Sequence, residues 1–354
     1  GVMITASHNP AEYNGLKMCR AMAAPIGEDS GLTQIKSAVE SGILERSEIP
    51  GDTKEIELLD EFREHCLSFV DASKLSNLKV VADTANGMGG YVVPYVFEKL
   101  DCSLDVLFGE LDGSFPNHPA DPLQAENLKD LQRRVVEKNA DIGLAFDGDA
   151  DRVFLVDDEG QTLGGYLTVA MVAQSILKKN PNQKIVYNLI CSKAVPELIE
   201  SMGGEAIRTR VGHSFIKQVM ADSGAIFGGE HSGHYYFRDN FCADSGLIAA
   251  LLVLELVAES RKKLSELRKE FETYSQSGEI NSKVSSVTDS LERVVKYFSE
   301  YEIDNLDGLT IKDKTWWANI RPSNTEPLVR LNVEADNKDL CKEKTEEILD
   351  VIRG

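Results

Sequence analysis

Positive charge is scarce in this chain. Its 354 residues carry 38 lysines and arginines against 58 aspartates and glutamates, a formal net charge of −20. So acidic a surface argues against nonspecific binding to nucleic acid or to an anionic membrane. Cysteine is scarce too: six residues, at 19, 66, 102, 191, 242 and 341, with no C-x-x-C pair. Single thiols at these spacings argue against a disulfide framework or a zinc cluster and point to reduced cysteines in a cytoplasmic protein. The longest apolar run, residues 247–258, is too short to span a bilayer and contains Glu255, so it reads as a buried helix. No secretory signal is visible, and there is no initiator Met.

What is present is ordinary for a globular protein: 42% hydrophobic and 27% charged residues, in a length that suits two to four domains. Strand-like and helix-like segments alternate, which predicts α/β layering. Residues 78–82 read as a strand, 87–90 as a turn and 91–100 as a helix. Residues 184–187 read as a strand and 194–202 as a helix ending at Gly203-Gly204. A charged helix is expected over 261–272, then a small α+β unit with strands at 316–320 and 331–335. Its closing amphipathic helix, 339–352, offers Leu340, Ile348, Leu349 and Ile352 for burial.

A weak repeat runs through this pattern. GVMITASHNP at residue 1, DIGLAFDGDADR at 141 and GAIFGGEHSGH at 224 are each a short apolar strand that discharges into a polar loop. In the second and third copies a strand–turn–helix unit comes first; in the first copy nothing precedes it.

The loops carry the chemistry. In Asp147-Gly148-Asp149-Ala150-Asp151-Arg152 three carboxylates stand at alternate positions, which in an extended segment share one face. Their repulsion calls for a divalent cation, and oxygen-only ligands suit Mg²⁺, Ca²⁺ or Mn²⁺. An EF-hand is excluded, because Arg152 holds the position that needs glycine and Asp158 the one that needs glutamate. Arg152 adds a fork for a phosphate, and an open metal position points to phosphoryl transfer. The alternative is an acidic, solvated loop.

In the loop around Glu230, Ser232 and His234 the three residues also alternate, giving donors and acceptors that suit sugar hydroxyls. His234 has no Cys or His partner at zinc-ligand spacing. A Gly-rich structural loop is the competing reading. Arg321-Pro322-Ser323-Asn324-Thr325-Glu326-Pro327 makes either an anion cradle or an Asx-type turn between prolines. Ser7-His8 is weakest alone, because adjacent side chains diverge and the G-x-S-x-G elbow is absent. Lys17 could reach back as a cation or proton-transfer group, or lie on the surface.

Together, TASHNP, DGDADR, GEHSGH and RPSNTEP, in this order and across the whole chain, resemble the α-D-phosphohexomutase family, in its phosphomannomutase/phosphoglucomutase branch. The resemblance implies repeated mixed α/β domains, each with a sheet flanked by helices, plus a smaller C-terminal α+β domain. Divisions are expected at 1–55, 56–160, 161–272 and 273–354. It implies a phosphoserine at Ser7 and Mg²⁺ held by Asp147, Asp149, Asp151 and that phosphoserine. His8, Lys17 and His234 would serve the chemistry; Arg152, His213, Glu230, Ser232 and His234 would meet the substrate. Arg321, Ser323, Asn324 and Thr325 would grip the phosphate that is not transferred. The partners implied are hexose phosphates of mannose or glucose and a hexose 1,6-bisphosphate. A phosphoglucosamine mutase is the alternative, although that branch usually shows Gln in the sugar loop and Gly where Asn324 stands. A metal-dependent phosphatase and a non-catalytic sugar-phosphate binder are the readings from other classes. The family's first domain begins well before its serine loop, so the expectation is that this chain lacks that portion and turns over weakly as it stands.

Overall fold

The computed structural model describes residues 1–42, 48–49, 51–323 and 328–354. Among these residues four sheets follow one another in sequence. The first is an antiparallel pair, β1 (Val2–Ile4) and β2 (Leu16–Met18), followed by helix α1 (Leu32–Ser41). The second comprises β3 (Lys79–Asp83), β4 (Ser103–Leu107), β5 (Ile142–Phe146) and β6 (Val153–Asp157), in the order β4-β3-β5-β6. Helices α2 (Leu59–Leu67), α3 (Gly89–Phe97) and α4 (Lys129–Lys138) belong with it.

The third sheet comprises β7 (Lys184–Asn188), β8 (Glu205–Thr209), β9 (Phe227–Gly229), β10 (Tyr235–Phe237) and β11 (Ala243–Asp244), in the order β11-β10-β9-β7-β8. Its helices are α5 (Gly165–Lys179), α6 (Ala194–Ser201), α7 (His213–Ser223), α8 (Gly246–Ser260) and α9 (Leu264–Phe271). The fourth sheet is antiparallel throughout: β12 (Ser275–Gln276), β13 (Ile280–Lys283), β14 (Glu302–Asp304), β15 (Leu309–Lys312), β16 (Trp316–Pro322) and β17 (Leu328–Ala335). Helices α10 (Val287–Tyr297) and α11 (Lys338–Arg353) cover it.

The repeat in the sequence is a repeat in topology. In the second and third sheets a first strand pairs in parallel with two others, β3 with β4 and β5, β7 with β8 and β9. Each unit then closes with an antiparallel hairpin, β5–β6 or β9–β10. The pair β1–β2 reproduces that hairpin alone. The polar loop of each copy lies inside its hairpin, so three loops of one design can face one cleft.

Packing explains why these runs become these elements. Every residue of β5 and β6 is buried, as a strand covered on both faces requires. Helices α5 and α8 lie in a core that joins the second and third sheets, running from Val80 and Leu144 through Leu167 and Leu251 to Phe227. The helical reading of 247–258 is therefore correct. Its one charge, Glu255, is fully buried and accepts hydrogen bonds from the Asp71 backbone N–H and from Lys179 Nζ. The expected helix over 261–272 is shorter, because Arg261 has φ 56° and ends α8 in the left-handed region before α9 begins. The last unit has its own core, with Ile348 and Ile352 of α11 packed on Trp316, Ile320 and Leu331. Among the described residues no helix is long and apolar enough to cross a membrane.

Candidate active site

The site is built where the three hairpin loops meet. The serine loop follows β1, and Ser7 takes φ 55°, an uncommon conformation for a residue with a Cβ. Its N–H is held by Thr5 Oγ1 at 2.9 Å. Its hydroxyl points at the second unit: Ser7 Oγ lies 3.1 Å from Asp147 Oδ2 and 3.5 Å from Arg152 Nη2. The left-handed turn also brings His8 Nδ1 to 3.3 Å from Ser7 Oγ. The divergence expected of neighbours in an extended segment does not occur, because the backbone here is a turn.

The carboxylate loop follows β5. It is likewise a turn and not the extended segment expected; Ala150 has φ 60°, and its N–H returns to the Asp147 carbonyl at 3.2 Å. Convergence comes from this fold-back. One carboxylate oxygen from each of Asp147, Asp149 and Asp151 falls within 4.8 Å of the others. Oδ1 of Asp149 and Oδ1 of Asp151 are buried with no hydrogen-bond partner. Burial, then the charge of Asp151, pushes the Asp147 carboxyl up to about 7. Burial raises Asp149 too, but Lys17 and the Thr5 hydroxyl, 2.7 Å away, outweigh it and hold Asp149 below its ordinary value.

Lys17, on β2, crosses to this loop and places Nζ 3.0 Å from Asp149 Oδ2 and 2.5 Å from Asp151 Oδ2. Burial opposes its charge, yet the two aspartates raise its pKa. Arg152 is 2% exposed and turns its guanidinium onto Asp147, with Nε 2.9 Å from Oδ2. Glycine at 148 is needed for the loops to touch, since a Cβ there would lie 2.2 Å from the Ser7 carbonyl oxygen.

The third loop follows β9 and joins the second through a backbone bridge between Arg152 and His234. Glu230 is 2% exposed; Oε1 accepts from the Gly212 N–H at 2.9 Å and Oε2 from the Tyr236 hydroxyl at 2.8 Å. Ser232 is half-buried in the turn. His234 Nδ1 lies 2.8 Å from Asp244 Oδ2 and 3.8 Å from Asp151 Oδ1. Burial lowers its pKa, but the Asp244 bond and the charge of Asp151 outweigh it and leave the ring above its usual value. His213, at the start of α7, is held below the usual value by burial and then by Lys217. A cavity of about 670 Å³ is lined by Ser7, Lys17, His213, Lys217, His234 and Asp244.

The fourth loop lies between β16 and β17. Asn324 and Thr325 fall outside the described residues. At its near end Ser323 N–H donates to the Leu328 carbonyl at 2.8 Å. Arg321 lies directly opposite Arg330 in the β16–β17 register, and Glu279 stands 3.4 Å from both guanidiniums. Asp307, 3.7 Å from Arg321 Nη1, also accepts the Val211 N–H at 3.1 Å, which ties this arginine to the loop before His213.

Sequence reasoning missed Thr5, Lys217, Asp244 and Arg330. Thr5 was in view in the serine motif; the others take their place from strand pairing and helix position, which no local spacing announces.

Comparison with known proteins gives four consecutive matches. Models of the phosphoglucomutase/phosphomannomutase alpha/beta/alpha domains I, II and III match residues 1–45, 57–160 and 164–274, and that of the C-terminal domain matches 279–351. The chain is 42% identical to a phosphomannomutase of Methanocaldococcus jannaschii, over 99% of this chain and 78% of that protein. It is 39% identical to the phosphohexose mutases of Xanthomonas campestris, over 100% of this chain and 80% of theirs. A crystal structure of a phosphoglucomutase/phosphomannomutase family protein from Burkholderia thailandensis superposes with a TM-score of 0.88 at 28% identity, covering 99% of this chain and 75% of that one. Four consecutive domain matches and this similarity throughout its length establish that the chain belongs to the phosphoglucomutase/phosphomannomutase family and is a phosphohexomutase, an isomerase.

Proposed function

We propose that Ser7 carries the phosphoryl group and that the enzyme interconverts hexose 1-phosphates and 6-phosphates of mannose, glucose or both through a bound hexose 1,6-bisphosphate. One observation carries this reading: Ser7 Oγ, 140 residues from Asp147 in sequence, lies 3.1 Å from its carboxylate at the mouth of a cleft. In-line transfer needs positioning and charge neutralisation more than an activated nucleophile, so the long His8 contact is no obstacle.

The aspartate cluster fits a hard divalent cation. It offers oxygen donors alone, and two of them are buried without a partner. We assign Mg²⁺ to Asp147, Asp149, Asp151 and an oxygen of phosphorylated Ser7. Bound there, the ion would offset the negative charge of the phosphoryl group in flight. The remaining roles fall to the chain itself. Arg152 keeps Asp147 in place and reaches Ser7 Oγ. His234 accepts the proton of the attacking sugar hydroxyl, and Lys17 returns one to Ser7 Oγ as its bond to phosphorus breaks; His8 stands beside that oxygen. Glu230 and Ser232 take sugar hydroxyls and His213 lines their pocket, while Arg321, Ser323, Asn324 and Thr325 hold the other phosphate. A phosphate loop indifferent to which end of the sugar it holds turns two transfers into an isomerisation. Six unpaired cysteines suit the reducing cytoplasm, where we place the protein.

Turnover of the 1-phosphates of mannose, glucose and glucosamine by the parent and by Ser7→Ala tests the reading. The variant should lose nearly all isomerase activity with mannose and glucose substrates. A phosphatase using the aspartate loop alone would keep its activity without Ser7.

A further inference from the structure

Asp244 belongs to none of the four loops, yet it reaches the centre of the site. It sits on β11, the edge strand of the third sheet, where the ladder fixes it opposite Tyr236 of β10. His234 immediately precedes Tyr235, the first residue of β10, so histidine and carboxylate are held side by side at this edge of the sheet. Asp244 Oδ2 lies 2.8 Å from His234 Nδ1, and Lys217 Nζ from α7 lies 3.2 Å from Oδ1. The Asp244 side chain is 14% exposed. Against the His234 ring lie Tyr236, its ring centroid 6.1 Å away, and Asp151.

A carboxylate can only accept, so this contact requires the proton of a neutral His234 ring to be on Nδ1. Nε2 then keeps its lone pair, and it has no hydrogen-bond partner among the described residues. The ring lines the same cavity as Ser7 and Lys17.

We propose that Asp244 is a positioning residue for phosphoryl transfer: it fixes His234 in the Nδ1–H tautomer, with Nε2 free to accept the proton of the sugar hydroxyl. Lys217 keeps Asp244 in place. As the hydroxyl oxygen bonds to phosphorus and the bond from phosphorus to Ser7 Oγ breaks, the hydroxyl proton passes to His234 Nε2 and Lys17 supplies one to Ser7 Oγ. In the return transfer both protons move back. This deepens the assignment of His234 made above and rests on it.

Nitrogen NMR of the ¹⁵N-labelled parent, at a pH where the ring is neutral, reads the tautomer directly, with the His234 signal identified by its loss in His234→Gln. The proton is expected on Nδ1; a proton on Nε2 overturns the proposal without recourse to any Asp244 variant. Asp244→Asn, which can donate to Nδ1 as readily as accept from it, should lower kcat by on the order of 10²-fold and change KM by less than about threefold. Asp244→Glu should recover part of the loss. A kcat for Asp244→Asn within about twofold of the parent also overturns the proposal. If instead Ser7→Ala stays active while the tautomer is as expected, the phosphoserine reading fails and the orientation of His234 stands.

Discussion

Gly148→Ala isolates the contact between the serine and aspartate loops. Gly148 is not among the glycines in the left-handed region, so alanine is conformationally acceptable there. The objection is contact alone: its Cβ would lie 2.2 Å from the Ser7 carbonyl oxygen. A carbon and an oxygen settle at about 3.3 Å, so the serine loop must retreat by about 1 Å. The opposite retreat is also obstructed, because Gly87 packs so closely beneath that a Cβ there would stand 2.6 Å from the Gly148 carbonyl oxygen. A displacement of about 1 Å between reacting groups costs on the order of 10²-fold in rate, or about 2.7 kcal/mol of activation free energy. Conversion of glucose 1-phosphate, followed by coupled oxidation of glucose 6-phosphate, should show kcat lowered by that factor, with melting temperature close to the parent's. A variant turning over within about threefold of the parent would refute the claim that the serine loop is seated on Gly148 during catalysis.

Lys17→Met removes the ammonium that lies between Asp149 and Asp151. Its charge repels a divalent ion held by the same carboxylates, an effect of roughly 1–2 kcal/mol at contact-scale separation in water, so calorimetry should show Mg²⁺ binding about tenfold tighter, and unchanged or weaker binding would contradict this. The Asp147 carboxyl, pushed up to about 7 in the folded chain, has an unfolded value of about 3.9. Its contribution to stability is therefore complete below about pH 4 and is lost as pH rises through about 7. Mg²⁺, which binds the carboxylate form, should raise the melting temperature more at about pH 8 than at about pH 5; an equal or smaller rise at the higher pH counts against the assignment. Lys179→Met leaves the fully buried Glu255 with the Asp71 N–H as its one remaining hydrogen-bond donor among the described residues. It should destabilise the protein by about 3 kcal/mol, and Glu255→Leu in the same chain should restore much of that; a melting temperature unmoved by the single change would contradict it.

The architecture was legible because its signals are local. A strand such as β5, buried on both faces, reads as an unbroken apolar run, and each run ends at a polar loop. The chemistry of those loops was legible from residue type: three aspartates in five residues have few uses other than a cation. Their geometry was not. Alternation predicted an extended shared face, whereas positive φ at Ala150 and Ser7 produces turns that bring the groups together by folding back. Asp244 and Arg330 were illegible for another reason. Each gains its place from register, one opposite Tyr236 and the other opposite Arg321, and strand pairing is a long-range fact.

The account stands on Ser7 as phosphoryl carrier, and mass analysis of its peptide tests that most directly. After incubation with glucose 1,6-bisphosphate and Mg²⁺, the peptide holding Ser7 should gain one phosphate, and added hexose monophosphate should remove it at a rate compatible with turnover. An enzyme that isomerises hexose phosphates while this peptide stays unmodified, or with the phosphate on another residue, would contradict it.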